Sequence, residues 1–303
     1  MQFRRAKKNI SGVLLLDKPI GYSSNQALQQ VKHLLQAAKA GHTGTLDPLA
    51  TGLLPLCFGE ATKFAHYLTD ADKVYEATLK LGVTTNTGDA EGQVLSEQAV
   101  QVSAAEFSAV CLQFLGEISQ IPPMYSALKH EGKALYEYAR AGVEIARNAR
   151  TVTIHEITVL AFDKHVASVR VKCSKGTYIR TLAEDIGATL GCGAHLIGLR
   201  RTATADYQIA QSMTLEDFVA LSAEQQAAKL LPADSAVVYL PAITLDTDSA
   251  FYLNQGQAVW QSGPIPEGLI RLYNPQQVFL GLGERQPDGK IGPKRLIVQP
   301  AQA

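Results

Sequence analysis

Alternating apolar and polar positions predict several half-buried β-strands along the chain. The clearest case is KVYEATLKL at residues 73–81, where every second residue from Tyr75 to Leu81 is apolar. VASVRVKC at residues 166–173 alternates in the same way, and TVTIHEITVLAF before it is also rich in β-branched residues. SGVLLLDKP reads as a short buried strand that ends at Pro19. A period of two places alternate side chains on opposite faces, so these segments favour strands with one buried face.

A longer period, of three to four residues, predicts helices between these strands. SSNQALQQVKHLLQAA and SAAEFSAVCLQFLG each begin with a serine that is followed three residues later by Gln or Glu, which is typical of a capping box. EATKFAHYL and GTYIRTLAEDIGATLG also carry an apolar stripe at helical spacing. Because strands and helices are interleaved without a regular period, we predict an α+β fold with a mixed, largely antiparallel sheet flanked by helices.

The pattern changes after about residue 243. Helical periodicity disappears, and GLIRLYN, QVFLGLGE and KRLIVQ read as short strands separated by Gly, Pro and Asp-Gly turns. A segment of this length lies within the lower range of independent domains. We therefore predict two domains, residues 1–243 and a small β-rich domain of residues 244–303.

Composition is that of an ordinary packed protein. The 303 residues are 46% hydrophobic and 18% charged, and no apolar run is long enough to span a bilayer. The sequence shows no signal-peptide pattern, so we expect a soluble cytoplasmic protein. None of the four cysteines forms a C-x-x-C pair, and we expect reduced thiols. Cys192 and His195 have a ligand-like spacing but no second pair, so a zinc site is not expected.

Net charge gives little support to a nucleic-acid partner, because 28 basic residues balance 28 acidic ones. Basic residues are nevertheless clustered at residues 4–8, 129–150 and 170–180. Each cluster, taken alone, is typical of a solvated surface.

The segment GHTGTLDPLATG at residues 41–52 places a single acid, Asp47, in a glycine-punctuated loop. Three interpretations are open: a turn aspartate that binds nearby backbone N–H groups, a metal ligand, or a nucleophile. The first is the usual one for a lone loop aspartate, and no partner acids lie close in sequence for the second. A carboxylate nucleophile is ionised at neutral pH and needs a cation to orient it.

The residues around Asp47 fit the third interpretation. Gly41, Gly44 and Gly52 would allow a bulky substrate to approach the backbone closely, and Pro48 stiffens the residue after the acid. His42 is either a satisfied polar residue or a substrate contact, and spacing alone favours the former.

This segment resembles the signature of the bacterial TruB family of tRNA pseudouridine synthases. The resemblance extends over residues 10–210, through LLLDKPIGYSSN, KVYEATLKLGVTTNTGDAEG, IPPMYSALKHEGKALYEYARAG, CSKGTYIRTLAEDIG and GAHLIGLRRT, in the same order and at similar spacing. It implies an enzyme that isomerises uridine-55 in the T loop of tRNA. It also implies that residues 244–303 form a PUA-like RNA-binding domain.

The resemblance implies roles for individual residues. Asp47 corresponds to the catalytic aspartate, Tyr75 to the tyrosine that stacks on the target base, and Arg180 to the arginine paired with the aspartate. Further contacts to the flipped uridine and its surroundings are implied for His42, Tyr178 and Leu199. Lys18 and Pro19 fall in the motif that supports the active-site loop.

The resemblance also implies that an insertion at about residues 124–150 closes over the RNA. Its mixture of tyrosine, lysine and arginine suits stacking and phosphate contact. The basic residues predicted to contact RNA, inside this segment and outside it, are Lys18, Lys63, Lys129, Arg140 and Arg150. The balanced net charge predicts that phosphate contacts are confined to one face of the protein.

The chemistry is consistent with these roles. Isomerisation keeps every atom of the uridine, and the sequence has no P-loop or GxGxxG before a helix, so we expect no cofactor and no metal. A partly buried Asp47–Arg180 pair is expected to lower the pKa of the carboxyl group and to orient it. Without the resemblance, Tyr75 would read as a core residue and Arg180 as a surface partner of Glu184. Attack at uracil C6 and action at the ribose both remain open.

One departure from the family pattern is Asn86, where an acid is expected; it affects local turn chemistry rather than the catalytic set. Two rival functions remain. One is a non-catalytic tRNA-folding or RNA-binding protein on the same scaffold. The other is an enzyme that directs an aspartate nucleophile at another glycosidic bond, a class that normally needs a second carboxylate. We expect a monomer whose macromolecular partner is the T arm of tRNA.

Overall fold

A computed structural model describes residues 7–298 of the chain. Residues 1–6 and 299–303, at the outer ends of the two predicted domains, lie outside this range, and so do Arg4 and Arg5 of the basic N-terminal cluster. No helix within the described range is long and apolar enough to cross a membrane.

The strands follow the alternating segments closely. In chain order they are β1 Gly12–Lys18, β2 Ala40–His42, β3 Ala50–Phe58, β4 Lys73–Leu81, β5 Val83–Thr85, β6 Val94–Glu97, β7 Gly116–Gln120, β8 Lys129–His130, β9 Lys133–Ala134, β10 Arg150–Asp163, β11 Val166–Cys173, β12 Ala194–Thr204, β13 Tyr207–Gln208, β14 Met213–Thr214, β15 Ala242–Thr244, β16 Leu269–Tyr273, β17 Phe279–Arg285 and β18 Ile291–Leu296.

The α-helices lie between these strands. They are α1 Ser24–Leu34, α2 Ala65–Asp70, α3 Ala104–Leu112, α4 Leu135–Arg140, α5 Ile179–Thr189, α6 Leu215–Ala220, α7 Ala223–Ala228 and α8 Thr247–Asn254. Short 3₁₀ turns cover Gly59–Lys63, Ile209–Gln211 and Ala233–Val237.

The main sheet has ten strands and is mixed, as predicted. Its central path runs β14-β1-β3-β12-β4-β11-β10-β7, with β2 added to β3 and β13 to β12. The β1–β14 and β3–β12 pairs are parallel, and the remaining pairs are antiparallel. The parallel β3–β12 pair matters for the site, because it places the end of the Asp47 loop beside Arg200 and Arg201.

Both predicted capping boxes are present. Ser23 accepts a hydrogen bond from the backbone of Gln26, whose side chain accepts one from the backbone of Ser23, and Ser103 and Glu106 do the same at α3. Each box satisfies N–H groups that the first helical turn leaves without an intrahelical partner. The stretch EATKFAHYL is only partly α-helical, since its first half forms the 3₁₀ turn Gly59–Lys63 and α2 begins at Ala65.

Two hydrophobic clusters cover the two faces of the main sheet. The first packs α1, α3 and α5 against β3, β4 and β11, with side chains such as Leu28, Phe107 and Ile186 buried. The second lies behind β1 and β3 and includes Phe64, together with Phe279 and Leu282 of the C-terminal sheet. The C-terminal strands therefore share a core with the main sheet.

The C-terminal region is a four-stranded sheet in the order β15-β16-β17-β18. Two of its three predicted strands are present as β16 and β17, and the third, KRLIVQ, contributes only its first three residues to β18. The prediction that helical structure ends near residue 243 is wrong, because α8 spans Thr247–Asn254. Asp246 caps this helix by accepting a hydrogen bond from the backbone of Ser249. The helix buries only Ala250 and Leu253 and exposes Phe251 and Tyr252, so its sequence lacks a clear apolar stripe.

Candidate active site

A pocket of about 300 Å³ opens where the Asp47 loop meets the ends of β4 and β12. Its wall is completed by the first residues of α5 and by residues 126–128 of the insertion. Predicted site residues that line it are Asp47, Tyr75, Tyr178, Arg180 and Leu199. Five residues from four separate parts of the chain therefore converge on one cavity.

The Asp47 loop is held at several points along its backbone. Ser24, the first residue of α1, both donates to the carbonyl of Leu46 and accepts from its N–H, at 3.1 and 2.7 Å. Gly21 N–H donates to the carbonyl of Pro48 at 2.8 Å. These bonds fix the backbone on both sides of Asp47, so the carboxylate projects from a rigid turn.

The three glycines of this loop have different surroundings. A Cβ at Gly52 would collide with the backbone of Arg201, and one at Gly44 would lie 3.3 Å from the Arg201 guanidinium, while Gly41 has open space. Gly44 and Gly52 also have φ values of 90° and 102°, which side chains other than glycine rarely adopt. Gly52 therefore allows the close approach of β12, which corrects the interpretation that it makes room for substrate. Gly44 faces Arg201 and also lines the pocket.

Asp47 is paired with Arg180. The Arg180 Nη2 atom lies 3.0 Å from Asp47 Oδ2, and Arg180 Nη1 lies 3.4 Å from Oδ2 of a second carboxylate, Asp89. The same guanidinium donates to the carbonyls of Thr87 and Tyr125. Arg180 is 5% exposed, so it is not the surface partner of Glu184 that its helical spacing alone would favour.

The Asp47 carboxylate is 38% exposed, through the mouth of the pocket. Burial raises the pKa of Asp47 above its ordinary value, Arg180 opposes the rise, and the neighbouring charge of Asp89 adds to it. The expected lowering of this pKa is therefore wrong. The physical reason is that the loss of hydration of the Asp47 carboxylate outweighs the attraction of Arg180, which also faces Asp89.

Tyr75 is both a core residue and a pocket residue. It stands opposite Val171 and Arg201 in the neighbouring strands and belongs to the first hydrophobic cluster, while its ring lines the cavity. Burial raises the pKa of the Tyr75 hydroxyl group. Arg201 opposes this rise through its charge and a hydrogen bond to the hydroxyl group. The hydroxyl group therefore stays protonated at neutral pH and is available as a donor.

Arg201 is fully buried and joins three parts of the site. It donates through Nε to the carbonyl of Leu53 at 2.7 Å and through Nη2 to the carbonyl of Gly44 at 3.2 Å. Its charge and hydrogen-bonding capacity also act on the Tyr75 hydroxyl group. A single guanidinium thus ties both ends of the Asp47 loop to the residue expected to stack on the base.

The other predicted uracil contacts differ in position. Tyr178 immediately precedes α5, and its backbone N–H donates to the Gln120 side chain at 3.0 Å. Leu199 lies in β12, opposite Ala77 of β4 and Ala50 of β3, and lines the pocket. His42 is half-buried on β2 and does not line the cavity. Burial and the charge of Arg201 lower the pKa of His42, which keeps the imidazole neutral at neutral pH.

Lys18 is buried and cannot make the direct RNA contact predicted for it. Its Nζ atom donates to the carbonyls of Pro19 and Tyr22 beneath the Asp47 loop. Burial lowers the pKa of Lys18 to about 8, and Asp47 opposes the change. This position agrees with the supporting role expected for the Lys18–Pro19 motif.

Lys63 is also engaged within the protein. Its Nζ atom binds Glu60 at 2.6 Å and donates to the carbonyl of Leu296, the last residue of β18, at 2.9 Å. It therefore links the second hydrophobic cluster to the C-terminal sheet and lies outside the pocket.

The remaining predicted RNA contacts, Lys129, Arg140 and Arg150, are exposed in or beside the insertion. Arg140 lies over the ring of Tyr136, with its guanidinium carbon 5.3 Å from the ring centroid. Within residues 7–298, none of the three basic side chains is in an ion pair. Their positive charge is available to a partner.

Two residues of the site are absent from the sequence-based set, namely Asp89 and Arg201. Asp89 lies in the segment TTNTGDAEG, three residues after the noted departure Asn86, which instead accepts a turn hydrogen bond from Gln93 N–H. Arg201 follows another arginine in a β-strand whose residues are partly buried and partly exposed, so its sequence position alone would predict a surface side chain. Asp89 could have been predicted from its position beside a glycine in a turn-like segment, which is the same pattern that indicated Asp47.

The part of the chain that the structure describes contains no group of three or more His, Cys, Asp or Glu residues that could hold a metal ion. His195 instead contacts the carbonyl of Val83 through Nδ1 at 2.8 Å. The four cysteines are unpaired and buried.

Comparison with known proteins gives consistent matches along the chain. Residues 32–179 match the family described as "TruB family pseudouridylate synthase (N terminal domain)". Residues 180–250 match "tRNA pseudouridylate synthase B C-terminal domain", and residues 241–297 match "Pseudouridine synthase II TruB, C-terminal". Proteins named tRNA pseudouridine synthase B are 60% identical over 299 residues in Methylobacillus flagellatus and 52% identical over 300 residues in Pseudomonas fluorescens. The alignments cover 99% of both chains in the first case and 98% of both in the second.

Solved structures share the fold. A chain from a Cbf5-Nop10-Gar1 complex superimposes with a TM-score of 0.70 at 27% identity, covering 95% of this chain and 84% of that one. A chain from an H/ACA RNP bound to a substrate RNA has a TM-score of 0.71 at 22% identity, covering 98% of this chain and 93% of that one. The mixed sheet with flanking helices and a C-terminal β-rich region is therefore an established architecture.

Proposed function

Because the chain belongs to the TruB family of pseudouridine synthases, we propose that it isomerises uridine-55 in the T loop of tRNA, with Asp47 as the nucleophile. The reaction class follows from the family: the protein is an isomerase that converts uridine in tRNA to pseudouridine. The T-arm site, the roles of individual residues, the monomeric state and a cytoplasmic location are parts of the proposal.

The observation that carries the proposal is the Asp47–Arg180 pair in the wall of the pocket. The 3.0 Å contact orients the carboxylate, and the rigid loop backbone presents it to the cavity. A substrate base must leave its stack to reach this position, which requires a pocket with an aromatic face. Tyr75 and Leu199 line the cavity and supply apolar walls on which a base can lie.

The reaction conserves the atoms of the nucleoside. The C1′–N1 bond breaks, a C1′–C5 bond forms, the C5 proton leaves to solvent, and N1 carries a proton in the product. Asp47 supports this sequence either by adding to C6 of the uracil or by acting at the ribose, through C1′ attack or C2′ deprotonation. Both routes require an ionised carboxylate, which Arg180 stabilises against the effect of burial.

Tyr75 and Arg201 act together in this proposal. The protonated Tyr75 hydroxyl group can donate a hydrogen bond, and Arg201 fixes its position while holding the loop carbonyl of Gly44. Arg201 is buried behind these groups, so it acts as a positioning residue.

Tritium release tests the proposal directly. A tRNA T-arm stem–loop carrying [5-³H]uridine should release tritium in the presence of the wild-type protein, and Asp47→Asn should release at most on the order of 10⁻³ as much per unit time. Asp246→Asn, a helix-capping acid of α8, is the control and should retain activity. Full activity of Asp47→Asn would rule out Asp47 as the nucleophile.

The alternative, a non-catalytic RNA-binding protein on the same scaffold, makes the opposite prediction. It expects Asp47→Asn to leave every function intact, although the site joins Asp47, Tyr75 and Arg180. An enzyme acting on another glycosidic bond would release a free base or sugar. Mass-neutral modification of the RNA separates that activity from isomerisation.

We propose further that the insertion near residues 124–150 closes over bound RNA and that the C-terminal sheet, from about residue 244, is a PUA-like RNA-binding domain. The exposed basic residues of the insertion support the first part. The C-terminal family match over residues 241–297 is consistent with the second.

A further inference from the structure

The ion pairs of the described residues show where positive charge is left uncompensated. Several basic residues outside the pocket are matched by an acid: Arg170 with Glu76, Lys172 with Glu156, Lys175 with Asp70 and Arg200 with Asp17. These pairs neutralise much of the basic cluster at residues 170–180 and its neighbour Arg200. In a chain with zero net charge, the unpaired basic residues therefore mark the surfaces that attract anions.

One such surface lies at the C-terminal end of α1. A groove of about 350 Å³ there is lined by Lys7, Gln29, Lys32, His33, Gln36 and Ala37. It contains no acidic side chain, and neither Lys7 nor Lys32 is in an ion pair within residues 7–298.

The sequence reinforces this asymmetry. The first 46 residues contain one acid, Asp17, which is already paired with Arg200. The same segment contains seven lysines and arginines: Arg4, Arg5, Lys7, Lys8, Lys18, Lys32 and Lys39. Only Lys18 of the described members is buried, and Lys39 lies near Glu60. The basic residues at the end of α1 are therefore not balanced by acids of the same segment, and the lining of the groove itself has no acid.

The groove is rigid and has a fixed relation to the pocket. Lys8 N–H donates to the carbonyl of Gln36 at 2.8 Å, and Ala38 N–H donates to the carbonyl of Lys8 at 3.0 Å, which holds the N-terminal segment against the end of the helix. The other end of α1 is Ser24, which binds the backbone of Leu46 in the Asp47 loop. Lys32 lies eight positions after Ser24, which corresponds to about 12 Å along the helix axis.

We propose that this groove is a second phosphate-binding surface for tRNA, occupied by backbone phosphates outside the T-arm stem–loop. The proposal rests on the proposed T-arm specificity, which places the T loop in the pocket and the rest of the tRNA around it. Amide and amine donors of Gln29, Gln36 and the two lysines suit phosphate oxygens, which accept hydrogen bonds without regard to sequence. A rigid α1 then sets a constant distance between this surface and Asp47.

Salt-dependent binding tests the proposal on two substrates. The variant Lys7→Glu/Lys32→Glu is compared with a control, Lys80→Glu/Lys229→Glu, which alters two other exposed lysines that lack an ion pair among the described residues. Binding is measured from 50 to 200 mM KCl with full-length tRNA and with an isolated T-arm stem–loop. For full-length tRNA, the groove variant should bind at least tenfold more weakly, and its log–log salt slope should fall by about two relative to wild type.

The stem–loop separates this proposal from the one on which it rests. Affinity and tritium release with the T-arm stem–loop should be unchanged in the groove variant, because the groove contacts tRNA elsewhere. Wild-type tritium release from the stem–loop tests the T-arm proposal independently. An unchanged salt slope, an equal loss with both substrates, or an equal loss in the control would overturn the groove proposal.

Charge reversal can also destabilise the end of α1, because Lys32 and His33 lie in its last turn and favour the helix dipole. A second variant, Lys7→Gln/Lys32→Gln, removes the charge without adding a negative one. It should show the same substrate dependence with a smaller loss of affinity, while its thermal midpoint stays close to that of wild type. A loss of affinity that follows the thermal midpoint instead would also overturn the proposal.

Discussion

At the scale of residues, the site depends on how one guanidinium is shared. Arg180 faces Asp47 and Asp89, at 3.0 and 3.4 Å, with the carbonyls of Thr87 and Tyr125 on the same donors. Asp89 is 4% exposed and is further held by the Thr87 hydroxyl group. A buried cation between two acids is fixed in position, so it orients Asp47 without neutralising it completely.

The shared cation predicts a pH dependence. Activity requires the ionised Asp47, whose pKa is raised by burial, so the acid side of the rate profile should have its midpoint above the ordinary carboxyl value. Asp89→Asn removes a neighbouring negative charge that raises this pKa. The midpoint should therefore move to lower pH, while the maximal rate falls because Arg180 is less firmly held. Single-turnover tritium release between pH 4 and 8 measures both effects, and an upward or absent shift of the midpoint would contradict this account.

The same pKa predicts the effect of Asp47→Asn on stability. A carboxyl group whose pKa is higher in the folded state than in the unfolded state destabilises the fold at a pH where it is ionised. The thermal midpoint of Asp47→Asn at pH 7 should therefore equal or exceed that of wild type. The difference should shrink as the pH falls below the unfolded-state pKa, where both states carry a protonated carboxyl group. A large drop in the midpoint at pH 7 would show that Asp47 has a structural role instead.

At the scale of elements, the active loop is built by two neighbouring strands and one helix. The parallel β3–β12 pair sets Gly52 beside Arg201, and α1 contributes Ser24 to hold Leu46. Because Gly44 and Gly52 lie against Arg201, the loop and β12 form a single packed unit.

Glycine substitutions test this unit. Gly52→Ala introduces a Cβ that collides with the Arg201 backbone at a φ of 102°, so we expect a loss of at least about 1–3 kcal/mol in the free energy of unfolding, together with reduced activity. Gly41→Ala is the matched control, because its Cβ meets open space and its φ is not positive. Chemical denaturation and tritium release of both variants provide the measurement. Equal behaviour of the two variants would contradict the proposed packing.

At the scale of the whole molecule, the C-terminal sheet is joined to the main sheet by shared core contacts. Phe279 packs against Phe64 with ring centroids 5.4 Å apart, and Lys63 and Glu60 bind the backbone at the end of β18 and just after it. We therefore expect the predicted domains, 1–243 and 244–303, to unfold together.

Truncation of Phe279 tests this expectation. Phe279→Ala should lower the free energy of unfolding by about 3–5 kcal/mol, since the residue is 8% exposed and fills the shared cluster. Its neighbour Val278 is 42% exposed, and Val278→Ala should change that energy by no more than about 0.5 kcal/mol. Calorimetry should show one transition that shifts as a whole in Phe279→Ala. Two separated transitions would mean that the C-terminal sheet is an independent unit.

Local patterns in the sequence determined most of the secondary structure, and the resemblance to the family's motifs indicated the main members of the proposed site. The alternation of KVYEATLKL predicted β4, and the two serine boxes predicted the starts of α1 and α3. These signals are local because a strand or a helix start is specified by neighbouring residues. The ordered family motifs likewise led to Asp47, Tyr75 and Arg180 before any contact between them was visible.

Only the tertiary structure decided which groups surround these residues. It brought Asp89 to Arg180 and buried Arg201 behind Tyr75, and it reversed the expected direction of the Asp47 pKa. Each of these outcomes depends on residues that are distant in sequence and on how much water the fold removes from a charge. Burial and the distance between charges determine a pKa, and neither is encoded in the local pattern of one segment.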